Sequence, residues 1–212
     1  TTPTTEPTTP TTQPTTPTTQ PTTPTTQPTT PTTQPTTPTT PPSGGISVTY
    51  TIPGKTLIKG LNATLPLGPG TLKAKLDAQS GKFDAQLSLP KSKLSFRLLG
   101  LLPATADVRL DPVSDVSGTL QSGAVKASSK IDVQLSDLRI FGLPVPVSHA
   151  CHTAKPAQVD LASAPGFDPL KGGKLTGKYT LPSFADCGLF TPLISGLASG
   201  PGNTIEVNLA RK

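Results

Sequence analysis

From Ile46 onward, apolar and polar residues alternate with a period of two, one segment after another. Only an extended strand puts residues i and i+2 on the same side, so this alternation commits the chain to half-buried β-structure. Ile46, Val48, Tyr50 and Ile52 share one face, with Ser47, Thr49 and Thr51 on the other. Leu72, Ala74, Leu76 and Ala78 alternate with Lys73, Lys75, Asp77 and Gln79. Phe83, Ala85, Leu87 and Leu89 follow the same rule, and Ser80-Gly81 between the two runs reads as a hairpin turn. The pattern continues through Leu94, Phe96 and Leu98, then Ala104 to Leu110, then a long run from Val125 to Leu135. It ends with Leu175, Tyr179 and Leu181, and with Ile205, Val207 and Leu209.

Pro53-Gly54, Gly68-Pro69-Gly70, Asp111-Pro112 and Gly200-Pro201-Gly202 read as breakers between strands. Leu189 to Leu197 is the one stretch with helical character. The expected fold over residues 46–212 is all-β: an antiparallel sandwich or a strongly curled sheet of about nine or ten strands, with one short helix near the C-terminus. Parity places Leu72, Leu76, Phe83, Leu87, Leu89, Phe96, Val108, Val125, Ile131, Val133 and Leu135 on one apolar surface. A second sheet layer and the Leu189–Leu197 segment are expected to cover it. With no Trp and only six Phe in the whole chain, such a core is either thin and tightly packed or incompletely filled. An apolar cavity of roughly 300 Å³ or more would point to a carrier of an apolar ligand.

Residues 1–42 are six copies of the heptad Thr-Thr-Pro-Thr-Thr-Gln-Pro, with Glu6 and Pro41 in the Gln position of the first and last copies. Proline every three or four residues forbids helix, and no position is apolar, so the period of seven is not a coiled coil. Residues 1–45 are expected to form a stalk in which the 42 repeat residues populate polyproline II and reach about 130 Å at roughly 3.1 Å per residue. Its Thr/Pro composition is that of O-glycosylated spacers. A chain that opens at Thr1 on such a repeat is expected to be exported, as a secreted or cell-surface protein.

Cys151 and Cys187 are then expected to form a disulfide, closing 36 positions and contributing roughly 2–4 kcal/mol. The competing readings are a metal site, because His149 and His152 flank Cys151, or free thiols. No nucleophile elbow, phosphate loop or metalloprotease motif is present, and no catalytic residue or cofactor is expected. A glycosidase pair of carboxylates finds little support, since Glu206 is the one glutamate after the repeat. Asp107, Asp111 and Asp115 recur every four residues, but on strand and turn they read as solvated. Asn62-Ala63-Thr64 is an N-glycosylation sequon, relevant in a eukaryotic host.

The chain carries 18 basic and 12 acidic side chains, and Glu6 is the only charge in the repeat. The scattered lysines lack the interleaved aromatics that stack bases, so no nucleic-acid partner is expected. A cell-wall polymer, a lipid or another surface protein suits the basic excess better, and self-association stays open. No apolar run approaches a membrane span.

The C-terminal stretch from Leu175 to Ile194, with Cys187-Gly188 and then Gly200-Pro201-Gly202-Asn203-Thr204, resembles the ends of uncharacterised secreted proteins of actinobacteria, mycobacterial relatives among them. The resemblance covers roughly 35 residues and implies an exported, cell-envelope setting. The leading functional expectation is a non-catalytic adhesive, binding or structural envelope module. The alternative is a carrier of a lipid or other apolar ligand, and a secreted hydrolase stands third.

Overall fold

The computed structural model describes residues 45–212, so the expected stalk, its extended geometry and its glycosylation lie outside the described residues. The first strands are β1 (Gly45–Ile58), β2 (Ala63–Asp77), β3 (Lys82–Ser88), β4 (Ser92–Leu98) and β5 (Leu102–Pro112). Next come β6 (Val116–Gln121), β7 (Ala124–Ile140), β8 (Leu143–Pro144), β9 (His152–Thr153) and β10 (Ala157–Ser163). The order closes with β11 (Gly172–Leu181), β12 (Phe184–Ala185), helix α1 (Thr191–Ala198) and β13 (Gly200–Arg211). Ten of the thirteen strands have six or more residues; β8, β9 and β12 have two each. Gly45 already pairs with Asp77, so the strand begins one residue before the boundary expected from composition.

Eight strands form a closed antiparallel ring in the order β1, β2, β3, β6, β7, β10, β11, β13 and back to β1. The curled-sheet expectation thus takes the form of a barrel-like closure. Following pairing partners once around from Ile46 passes Leu76, Phe83, Gly118, Ala127, Leu161, Gly177 and Ile205. The walk returns to β1 at Thr56, ten residues beyond its start. That stagger tilts the strands steeply, and an eight-stranded barrel is just wide enough for side chains to fill or for one small ligand.

All four expected breakers fall within strands: Asp111-Pro112 ends β5, Gly200-Pro201-Gly202 opens β13, and the other two lie in strand interiors. Ile52 pairs with Gly70 and Gly54 with Leu67, so Pro53-Gly54 and Gly68-Pro69-Gly70 face one another across β1 and β2, with a register shift at that point. Two flexible points set opposite each other bend the hairpin as a unit, which is how a bulge helps a sheet curl shut. Gly118 serves closure differently. A Cβ there would collide with the Lys126 carbonyl and with the Phe83 ring, which lies across the inner wall over the glycine. The expected turn at Ser80-Gly81 is present: Ser80 Oγ donates to Asp77 Oδ2 at 2.7 Å and Gly81 N to the Asp77 carbonyl at 2.8 Å.

β7 runs for 17 residues and outgrows the ring. Up to Ile131 it pairs with β6 and β10; beyond, it pairs with β5, which hairpins with β4. Short pairings with β8 and β9 line its other edge. This extension is covered by α1, whose Ile194 and Ala198 are buried. A disulfide joins Cys151 to Cys187, tying the segment before β9 to the segment after β12, and both cysteines are fully buried.

The expectation that a second layer and the Leu189–Leu197 segment close the Leu72 face is corrected here. The ring closes over that face by itself, because β10 pairs back onto β7. The helix lies over the extension instead, where Ile194, Leu197 and Ala198 line a small cavity with Phe96, Leu98 and Leu135.

Candidate functional site: the barrel interior

The inward rows of the ring surround a cavity of about 120 Å³. β1 contributes Val48, Tyr50 and Ile52; β2 contributes Leu72, Ala74 and Leu76. β7 contributes Val125, Ala127, Ser129 and Ile131, spaced by two as a strand requires. Two polar side-chain groups occur in the whole lining, the Ser129 hydroxyl and the Tyr50 phenol.

One end of this space is partly open. Ile46 is 44% exposed, and the half-buried Phe83, Leu120 and Phe167 stand at the same end of the ring. The loop of residues 164–171, between β10 and β11, crosses here and places Phe167 and Pro169 against the cavity. It is held by Phe167 N donating to the Gly123 carbonyl at 2.7 Å and by the Tyr50 hydroxyl donating to the Pro169 carbonyl. Burial raises the Tyr50 phenol above its ordinary range, with Arg211 opposing the shift and Asp168 adding to it.

The other end is plugged by polar groups that satisfy one another. Thr56 Oγ1 donates to the Thr204 carbonyl at 2.9 Å and shares a 2.8 Å hydrogen bond with the Tyr179 hydroxyl. Asn203, 1% exposed, accepts from Lys59 N at 2.9 Å and donates to the Gly200 carbonyl at 2.9 Å. Burial pushes the Tyr179 phenol up, against the smaller effect of its bond to Thr56.

Of the residues expected on one apolar surface, Leu72, Leu76, Phe83, Leu87, Leu89, Val125 and Ile131 line the barrel cavity. Phe96 and Leu135 line the second, wholly apolar cavity of about 40 Å³ under α1. Val108 and Val133 are buried in the core between and line neither. Eight of the eleven, all but Leu76, Leu89 and Ile131, belong to or pack against one connected hydrophobic core, and that core holds two cavities, one on each side of the point where β7 leaves the ring. The lining also holds apolar residues outside that expectation, Val48, Ile52, Ala127 and Leu175 among them, and its two polar residues, Ser129 and Tyr50. Tyr50 had the right parity but was not weighed as a lining group. Ser129 is polar, yet it sits two residues from both Ala127 and Ile131, and that spacing is the signal that marks it.

The remaining candidate chemistry is dispersed. His152 Nδ1 lies 2.7 Å from the Ala150 carbonyl and 3.8 Å from Asp186 Oδ2, while His149 is exposed. Among the described residues no three His, Cys, Asp or Glu side chains converge. Asp107 pairs with Lys91 at 3.0 Å, Asp111 with Arg109 at 2.8 Å, and Glu206 with Lys174 at 2.9 Å. Asn62 is exposed beside β2. No helix among the described residues is long and apolar enough to cross a membrane.

At the far tip of the extension, two hairpin turns expose large apolar side chains. Leu99 and Leu101 are 75% and 77% exposed on one, and Phe141 and Leu143 are 64% and 71% exposed on the other. The turns are neighbours, since Phe141 N donates to the Pro103 carbonyl at 2.9 Å. Leu99 and Phe141 take the left-handed backbone conformation, uncommon for bulky residues.

No family model matches the chain, and neither a curated protein nor a solved structure matches it.

Proposed function

We propose that residues 45–212 form a non-catalytic binding module, secreted or held at the cell surface, whose barrel grips a slender apolar group. The observation that carries this reading is the cavity of about 120 Å³ inside an otherwise buried, aliphatic barrel. Empty core volume costs about 24 cal/mol per Å³, so the unfilled space forfeits roughly 3 kcal/mol that an apolar guest would restore. A dry, Leu/Ile/Phe-lined space of about this size admits a guest no larger than benzene or a short run of methylenes. Whole drug-sized ligands need roughly 300 Å³ or more. The size therefore speaks against carriage of an entire lipid and for holding one part of a molecule, such as a chain end or a ring. The buried disulfide supports an oxidising, extracellular setting.

Native mass spectrometry of the full chain, purified from the organism that makes it, tests the reading. A bound apolar molecule retained in the gas phase and displaced by excess benzene is the expected result. A chain free of any guest, and unperturbed by benzene or xenon in solution, would remove it.

A second reading, adhesion through the extension, is favoured by the Leu99, Leu101, Phe141 and Leu143 tip. Side chains this large and this exposed on neighbouring turns mark contact surfaces. Leu99→Asp combined with Phe141→Asp is expected to lower retention on cell-envelope material while leaving benzene binding in the barrel intact.

A further inference from the structure

We infer that Ser129 is the polar recognition point of the barrel, so that its guest is a neutral molecule carrying one hydrogen-bonding oxygen (an alcohol, phenol or carbonyl) on an apolar body. The inference rests on the reading of the barrel as a ligand site and specifies what that site selects. Its starting observation is that the Ser129 hydroxyl is buried and has no hydrogen-bond partner, the one such side-chain atom among the described residues. Ser129 is 8% exposed, pairs with Val159 and lies on the inward row between Ala127 and Ile131.

The orphan hydroxyl is not a general feature of this interior. The other buried polar side chains are all engaged. Thr153 Oγ1 donates to Asp132 Oδ1 at 2.8 Å and accepts from Val133 N at 3.1 Å. Thr56 and Asn203 make the bonds described above. A hydroxyl taken out of water without a partner destabilises the fold, and alanine at the same place would avoid that penalty. A serine there is accounted for when something that enters the cavity completes its hydrogen bond.

The character of that something follows from the wall. The Tyr50 hydroxyl is the only other polar group in the lining, and its proton is committed to the Pro169 carbonyl. No charged side chain lines the space, so an ionised carboxylate or ammonium would be buried without a counter-charge. A lone water is a poor occupant, since it needs two to four polar partners. A neutral oxygen attached to an apolar body fits both parts of the wall. The hydroxyl of Ser129 can donate to a carbonyl or accept from an alcohol.

The test titrates the full chain and its Ser129→Ala variant with benzene and with phenol, followed by amide chemical shifts. Ser129→Cys serves as a near-isosteric second variant with a weak donor. The expected result is that Ser129→Ala melts at the same temperature as the parent or higher, and binds benzene at least as well. Its phenol-to-benzene affinity ratio falls about tenfold, the loss of one hydrogen bond to a buried group, with Ser129→Cys in between. An unchanged ratio in a protein that binds both probes overturns the role of Ser129 and leaves the barrel as a ligand site. A lower melting temperature for Ser129→Ala also overturns it, because the hydroxyl would then have a partner within the fold. Failure of every variant to bind either probe overturns the ligand-site reading, and this inference with it.

Discussion

The barrel and the extension are built from the same alternating strands, and β7 runs through both, yet they seal their interiors differently. In the ring every strand pairs with a strand on each side over at least part of its length, so backbone hydrogen bonds hold the wall whether or not the lumen is full. A cavity of about 120 Å³ persists there. The extension has open edges and cannot rely on closure. Its edge strand β4 exposes Lys93 and Arg97, charges that discourage pairing with another chain. Its inner face is sealed from outside by α1, and the remaining space is about 40 Å³. The segments around α1 are pinned by Cys151–Cys187. Stability is thus distributed by topology in one region and by covalent and helical cover in the other.

The sharpest way to break that comparison is to remove the disulfide. Cys151→Ser with Cys187→Ser reopens a separation of 36 residues and is expected to cost about 2–4 kcal/mol. Amide hydrogen exchange should locate the damage: protection falls in α1, β9 and β12, while β1, β2 and β13 keep theirs. Equal loss around the ring would show that the two regions unfold as one unit.

Filling the barrel gives the next largest effect, with the opposite sign. Ala127→Leu adds three carbons beside the cavity and is expected to stabilise the protein by about 1–2 kcal/mol, a part of what the empty volume forfeits. Thermal unfolding reads the gain, and benzene binding should disappear. A destabilised variant would mean that the wall around Ala127 is already tightly packed.

Much of the fold is legible in the sequence because parity is local. The hairpin at Ser80-Gly81, the inward rows of β1, β2 and β3, and the long run of β7 follow from alternation alone. What parity cannot supply is where a strand leaves the ring. Val125 and Leu135 share a row of β7, but the ring ends near Ile131, and that depends on the non-local pairing of β7 with β10. Local reading also misplaces the breakers. Pro53-Gly54 ends a strand by propensity, yet here it bends one, because its partner strand bends at the same level. Near the end of β7 a register shift, with Asp137 in the left-handed conformation, reverses parity and turns Leu138 inward. Of the candidate site, the aliphatic wall was readable in seven of its residues. Ser129 carries the same parity, two residues from Ala127 and from Ile131, but its polarity hides it in a reading that follows apolar residues alone.

The smallest expected effect is an alkaline one on the barrel. Burial raises the Tyr179 phenol above its ordinary value of 10.0, and burial likewise raises Tyr50. Both lie in barrel strands, β11 and β1. A group whose folded-state pKa is raised holds its proton longer in the folded protein than in the unfolded chain. Its contribution is therefore complete below the unfolded pKa and is lost as pH rises from about 10 through the folded value. Lowered carboxylates lie in both regions, Asp77 and Glu206 on ring strands and Asp137 in the extension, each chiefly through a side-chain hydrogen bond, from Ser80, Lys174 and Arg139 respectively. Their contribution is present above the usual carboxylate range and is lost as pH falls through the depressed values. Tyr179→Phe is expected to cost only about 0.5 kcal/mol at neutral pH, because Thr56 Oγ1 keeps its bond to the Thr204 carbonyl and is not orphaned. Above pH 10 the order should invert, with the variant losing less stability than the parent per unit of pH. Denaturant titrations followed by barrel and extension amides separately would show it. A parent and variant that decline in parallel above pH 10 would place the alkaline sensitivity somewhere other than the plugged end of the barrel.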